Sequence, residues 1–461
     1  MFKRLYYLSF AGYLFFFIFS VVFFKERSIF IDIAYHTFLL VKDNTFVPNM
    51  RFGAAATQIY PLLAIRSGLP LDNIILAYSV GFVCYHFLYF VICGLICKRF
   101  DFALVILLFN LLITSHTFYW VQSELPQGIN FFILLLAIAG TKNTGVAKQA
   151  GFIIVLAGML VVAFFHPLII FPVGYAICFF LLAEKGTELI NKRVLLAALG
   201  AFICFYVIKV LFFKVSYDAE TMDRAVTSSL FDNFFGIHAN KHFLQNCKQR
   251  YYWIPILTLA IMGWYGYKKQ WLKLSLFAFA MVGYTILVNV THPKGDVPDF
   301  YMENLYLPLG VFIAFPFVFD LLPVLQKKFT ISWVPEVVVC LIMLTGCVRI
   351  LGTHSFYTDR LNWERAFLQA NAGKKLIIDG SKAPREVLLD IWGTPFEFWL
   401  LSTTEGGSTA SVMINNSPNN YKDAYWLKKC FVTTWANYSY SDLPKRYFNF
   451  KDTTTSYELM K

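Results

Sequence analysis

Charge is scarce in this chain. Only 15% of its 461 residues are Asp, Glu, Lys or Arg, while 58% are hydrophobic and 19% aromatic. A soluble domain of this length exposes far more charge, so a soluble enzyme is excluded. Catalytic signatures are also missing. The chain holds no HExxH, no paired CxxC, no Gly-x-Ser-x-Gly and no Gly-rich phosphate loop. Nothing in the motifs therefore calls for a metal ion or a cofactor. Repeats and low-complexity stretches are absent as well. Nine cysteines are present, and seven of them lie in apolar runs where Cys acts as a small buried hydrophobe. Cys247 and Cys430 fall outside those runs and form one candidate disulfide pair.

What remains is apolar sequence in blocks long enough to cross a bilayer. The blocks are 5–24, 74–97, 102–115, 129–141, 150–165, 168–183, 194–213, 252–267, 272–290, 305–323 and 333–352. The expected fold class is mainly α: a polytopic α-helical membrane protein of about eleven spans with a small C-terminal α/β domain. No small-residue cleavage site follows the first block, so it reads as a span and not as a signal peptide. His166-Pro167 interrupts the block 150–183. Proline cannot continue a helix interior and histidine is costly at mid-bilayer, so a hairpin tip is expected there.

The net charge of +12 raises the question of nucleic acid. Its distribution answers it. With the N-terminus inside, the inside flanks carry 14 basic and 4 acidic residues, and the outside loops 11 basic and 12 acidic ones. Basic residues gather on the cytoplasmic side of membrane proteins. The charge thus orients the chain N-in and C-out, and no nucleic-acid partner is expected. The expected location is the inner (plasma) membrane, with the tail extracytoplasmic, and periplasmic in a Gram-negative cell.

The unusual polar chemistry then falls on the outside, in loops 25–73, 116–128, 214–251 and 291–304. The first loop carries Asp32, His36, Arg51 and Arg66 among apolar residues. Ile29–Val41 has apolar residues at helical spacing, so it should lie along the membrane surface. There Asp32 and His36, four residues apart, share one helix face. A carboxylate flanked by isoleucines has to be satisfied or functional, and a general base is the functional option. The plain alternative is a polar face turned to water. Loop 116–128, HTFYWVQSELPQG, offers Trp120 to stack on a sugar and Glu124 to accept its hydroxyls. Loop 291–304, THPKGDVPDFYMEN, packs His292, Lys294 and Glu303 together, and a lysine is a good partner for a phosphate. Arg51 and Arg66 flank a run that could dip into the membrane with an Arg reaching a lipid phosphate; the plain alternative is Arg snorkelling to the headgroups.

From about Gly352 the composition returns to a globular balance, with 13 basic and 11 acidic residues in 353–461. This divides the chain into a membrane region, 1–352, and a soluble extracytoplasmic domain, 353–461. Lys374–Asp379, Glu397–Leu401 and Ala410–Ile414 read as strands, and Pro384–Trp392 as a short helix.

The layout resembles the GT-C class of membrane glycosyltransferases. The likeness rests on ERSIFIDIAYH directly after the first span, the passage RFGAAATQIYPLLAIRSGLPLDNIILAYSVGFVCYHF into the second, and the late loop THPKGDVPDFYMENLYLPLG. It departs from that class in giving Asp32 no acidic neighbour and in placing Glu303 where a basic residue is usual. The resemblance implies transfer of a sugar from a polyprenyl-phosphate donor to a lipid, glycan or protein acceptor at the outer face. Asp32 would be the catalytic base. His36, Arg51, Arg66, Trp120, Glu124, His166, His292, Lys294 and Glu303 would bind substrate. Two other classes stay open: a lipid-linked polysaccharide polymerase or ligase using Arg224 and Arg250 of loop 214–251, and a transporter or assembly subunit using Lys209, Glu336 or Arg349.

The charge asymmetry makes a direct prediction. A cysteine introduced at Ser408 should react with an impermeant thiol reagent in intact cells, and one at Gly145 should not. The reverse pattern would overturn the orientation.

Overall fold

A computed structural model shows a bundle of apolar helices joined to a small sheet-bearing C-terminal region. The residues it describes are 1–44, 47, 50–121, 123–141, 145–183, 189–213, 234–293, 299–328, 333–421 and 428–460. Each of the eleven apolar blocks contains a helix. Among the described residues, seven helices are long and apolar enough to cross a membrane: Phe2–Val22, Leu71–Ile96, Gly145–Ala163, Lys192–Phe212, Trp271–Thr291, Asp299–Gln326 and Val334–Ala370. Phe100–Leu112, Glu124–Ala139 and Trp253–Tyr267 are shorter, as is Ile170–Leu181.

Burial separates the centre from the rim. Within Asp299–Gln326, 72% of the apolar window is buried, against 22% in Lys192–Phe212. The second helix leaves Leu196, Ile203, Leu211 and Phe212 exposed, as a lipid-facing surface requires. Phe100–Leu112 is apolar all round and almost wholly buried, which is the pattern of a central helix. Its 13 residues cover only about 20 Å, short of a hydrocarbon core of about 30 Å.

The boundary expected near Gly352 falls inside a helix. Val334–Ala370 is one helix of 37 residues that runs straight through it. Composition changes there, but no Pro or Gly lies between Thr353 and Ala370 to stop the helix. The second half of this helix carries the tail. Beyond it, β1 (Lys375–Asp379) lies between β2 (Ser411–Asn415) and β5 (Glu458–Met460), parallel to both. β3 (Cys430–Val432) and β4 (Asn437–Ser439) form an antiparallel pair. The first and third expected strands match β1 and β2 to within a residue. The second does not: Glu397–Leu401 lies inside the helix Thr394–Gly406, entered by Pro395 and closed by Gly407 at φ +64°. A short continuous apolar run reads equally as strand or buried helix. The expected helix Pro384–Trp392 shrinks to Arg385–Leu388. Cys247 and Cys430 are both free thiols, so the candidate disulfide is not formed.

The helix Ile31–Asp43 is not an exposed surface helix: it is buried between the bundle and the tail. Phe38 sits among Phe396, Trp399, Phe431, Tyr438 and Phe448 of the tail, with ring centroids 4.9–6.0 Å away. Only Asp32, Tyr35 and the C-terminal turn keep solvent contact. A helix apolar on more than one face has to be covered on more than one face. Its first turn is clamped as well. The buried Glu397 carboxylate accepts the Ile31 backbone N–H and the Arg360 guanidinium. Arg360 also donates to the Asp390 carbonyl at 3.2 Å.

Gly393 lies against the clamp. A Cβ there would stand 2.5 Å from Ile31 Cα, and backbone cannot yield as a side-chain tip can. Gly393→Ala should destabilise the protein by about 1–3 kcal/mol, seen as a lower thermal midpoint in detergent. Gly406→Ala, with open space at its Cβ, serves as the control. Equal midpoints for the two variants would show that the helix and tail are not in this contact.

Candidate functional site

Two loops meet above the bundle. One is the start of Ile31–Asp43, held by Glu397. The other is the short helix His116–Tyr119 with Trp120 at its end. This second loop is held by another buried carboxylate. Glu303 accepts the backbone N–H groups of Ser115 at 2.6 Å and Thr117 at 2.8 Å, and the hydroxyls of Thr117 at 2.7 Å, Tyr251 at 3.0 Å and Ser115. All five donors belong to the chain and Glu303 is fully enclosed. Glu303, which the sequence offered as a substrate-binding residue, thus spends its carboxylate on fixing this loop. Its companions in THPKGDVPDFYMEN misled because spacing shows proximity but not which way a side chain turns.

With both loops fixed, Trp120 Nε1–H donates to Asp32 Oδ2 at 3.1 Å. The indole packs edge-on to Phe300 and lies 6.1 Å from Tyr301, whose ring is 5.6 Å from His292. His292 ends the Trp271–Thr291 helix. Beside this row, Glu124 opens the helix Glu124–Ala139 and pairs with Arg51 at 3.1 Å, both buried. His166 caps the turn Pro167–Ile169, accepting the Leu168 N–H at Nδ1. The break expected at His166-Pro167 is present. Burial, together with Arg51 and Lys209 nearby, holds its imidazole well below the usual histidine range. His36 is buried and pushed down to about 3, so it is neutral.

Burial lifts the Asp32 carboxyl to about 7, with Glu124 adding to the rise, while the Trp120 N–H and Arg51 oppose it. Asp390, brought by the tail, pushes in the same direction as Glu124. Asp32 is thus a carboxyl that gains and loses a proton near neutrality, next to a carboxylate that an arginine neutralises. Such a pair suits proton transfer.

Not every expected residue joins. Arg66 is exposed at the last turn of Ile59–Arg66, apart from this cluster. Lys294 lies outside the described residues. Among those described, no group of three His, Cys, Asp or Glu side chains could hold a metal ion.

No protein-family model, curated protein or solved structure matches this chain. The chemistry of the cluster has to be read from its own geometry.

Sequence reading missed several participants. Tyr78 is wholly buried within electrostatic reach of Asp32 and Glu124. Asp390 comes from the far end of the chain. A second polar group lies beyond Glu303, where Asp299 bonds Arg250 at 2.7 Å and His242 at 2.8 Å, and His116 meets Arg250 at 2.9 Å. Tyr78, Asp390 and His242 gave no signal, whereas His116, Arg250 and Asp299 stood out as polar residues in outside loops.

The lifted Asp32 has a stability signature. Its folded pKa exceeds the unfolded one, so the stability held by the protonated acid is present below about pH 4. It is lost as pH rises through about 7. Asp32→Asn removes this loss. Thermal unfolding at pH 4.5 and 7.5 should show the variant gaining on the parent at the higher pH by at least about 1 kcal/mol. A parallel response of the two proteins would place the Asp32 pKa near its ordinary value.

Proposed function

We propose that this chain is a membrane glycosyltransferase that moves a sugar from a polyprenyl-phosphate donor to an acceptor hydroxyl at the outer face of the membrane. The observation that carries this reading is Asp32: a carboxyl lifted to about 7, oriented by the Trp120 N–H. In the reaction, Asp32 takes the proton of the acceptor hydroxyl. The acceptor oxygen bonds to the anomeric carbon while the carbon–oxygen bond to phosphate breaks, and the phosphate leaves with the electron pair. The attack comes opposite the leaving group, so the anomeric centre inverts. Arg51 is tied to Glu124, so the pair shapes the sugar site and keeps the local charge balanced. Trp120 and Tyr301 give the sugar an aromatic wall.

The transport reading loses support from how its candidates are used. Glu336 pairs with Arg4 at 3.3 Å. Arg349 donates to the carbonyls of Arg250 at 2.6 Å, Thr114 at 3.2 Å and Leu111. These two charges tie helices and loops together. In the polymerase or ligase reading Arg250 would bind pyrophosphate, but it is engaged with Asp299 and His116. Arg224 lies outside the described residues.

The test uses purified protein supplied with polyprenyl-phosphate sugars, following release of free polyprenyl phosphate. Asp32→Asn should fold, insert and lose about 10²–10⁴ in turnover. The parent's rate should fall with decreasing pH below about 7, where the base becomes protonated. Turnover within a few-fold of the parent would remove Asp32 as the base, and Glu124→Gln would then be examined.

A further inference from the structure

A cavity lies away from Asp32. It has a volume of about 540 Å³ and opens between the end of Val334–Ala370, the helix Thr394–Gly406 and the sheet. None of its lining residues belongs to the Asp32 cluster. The volume is in the range of small-molecule sites.

Its charge is uneven. Four basic residues line it, Arg365, Lys374, Lys375 and Lys451, against two acids, Glu405 and Asp452. Both acids are engaged. Glu405 accepts a bidentate pair of bonds from Arg365, each 2.8 Å, and a third from Lys25 at 2.9 Å. Asp452 is turned into its own loop, where it accepts the N–H groups of Thr454 at 2.8 Å and Thr455 at 3.0 Å. Lys375 is spent as well, donating to the Thr455 carbonyl at 2.8 Å between the rings of Tyr440 and Tyr457. Lys374 and Lys451 differ. Among the described residues neither has a carboxylate within ion-pair distance. The rest of the polar wall is neutral: Asn371, Ser402, Thr409 and Ser411 share hydrogen bonds within the chain, while Ser408 and Gln369 make no side-chain hydrogen bond among the described residues.

Two unneutralised ammonium groups facing a wall of hydroxyls and amides match one kind of ligand. We propose that this cavity binds a polyhydroxyl compound carrying a single acidic group. Lys374 and Lys451 hold the anion, and the neutral wall takes the hydroxyls. Two sources supply that chemistry: an acidic sugar, or a lipid headgroup with a phosphate on a polyol. The second is within reach because Lys25, which bonds Glu405 of the wall, directly follows the first apolar helix. The proposal is independent of the Asp32 reaction.

The experiment is calorimetric titration of the full-length protein in phosphatidylcholine nanodiscs. The probes are glucuronic acid, sn-glycerol 3-phosphate, glucose and inorganic phosphate. At least one of the first two should bind about tenfold or more tighter than glucose and than inorganic phosphate, since one charge-assisted contact is worth about that factor. A preference for glucuronic acid identifies the sugar source, and one for glycerol 3-phosphate the headgroup source. Lys374→Gln with Lys451→Gln should weaken that binding by about tenfold or more. Both lysines are exposed, so the thermal midpoint should stay put. Ser408→Trp, which fills the cavity, should abolish the same signal. The proposal is overturned if glucose or inorganic phosphate binds as well as the acidic polyols, if no probe binds, or if the lysine variants bind like the parent.

Discussion

The contact on which the rest depends is Glu397. Its carboxylate is buried at the junction of three parts of the chain: the first loop after helix Phe2–Val22, the second half of Val334–Ala370, and the tail. A buried carboxylate left unpaired is strongly unfavourable. Here the Ile31 N–H and the Arg360 guanidinium satisfy it together. Separating any of the three parts exposes or orphans a charge, so they move as one. The aromatic nest around Phe38 supplies the apolar burial that accompanies this junction.

A second buried carboxylate does the same job on the other side of the site. Glu303 gathers five donors and so fixes the backbone of the loop that carries Trp120. The two glutamates sit behind the two loops, and Asp32 and Trp120 meet where the loops meet. Both glutamates are fully buried. Their effect on chemistry is geometric. They hold a donor and an acceptor from distant parts of the chain within one hydrogen bond.

This rigidity gives the Asp32 carboxyl its character. It is enclosed enough for burial to lift its pKa and keeps enough solvent contact to exchange a proton. Arg51 is near enough to lower that pKa, but its direct ion pair goes to Glu124. The same division runs through the C-terminal cavity, where Arg365 and Lys25 are spent on Glu405 while Lys374 and Lys451 remain available.

The sequence by itself determined the elements whose signal is local and repeated. Eleven apolar blocks became helices because a long run without charge has nowhere else to put its backbone polar groups. β1 and β2 were legible from short apolar runs bounded by turns, and the His166-Pro167 break from proline's missing N–H. Asp32, Trp120, Glu124 and Arg51 could be singled out as polar groups in apolar surroundings. Tertiary structure decided what those residues touch. Glu397–Leu401 became helix because Pro395 and Gly407 framed it and both bundle and sheet could cover it. Ile31–Asp43 is buried because the tail offers its second apolar face a partner. Glu303 became a scaffold because its donors came from loops about 50 and nearly 190 residues away. Arg66 stayed at the surface. Long-range pairing of a charge depends on where distant backbone N–H groups end up, and nothing in the local pattern of a sequence encodes that.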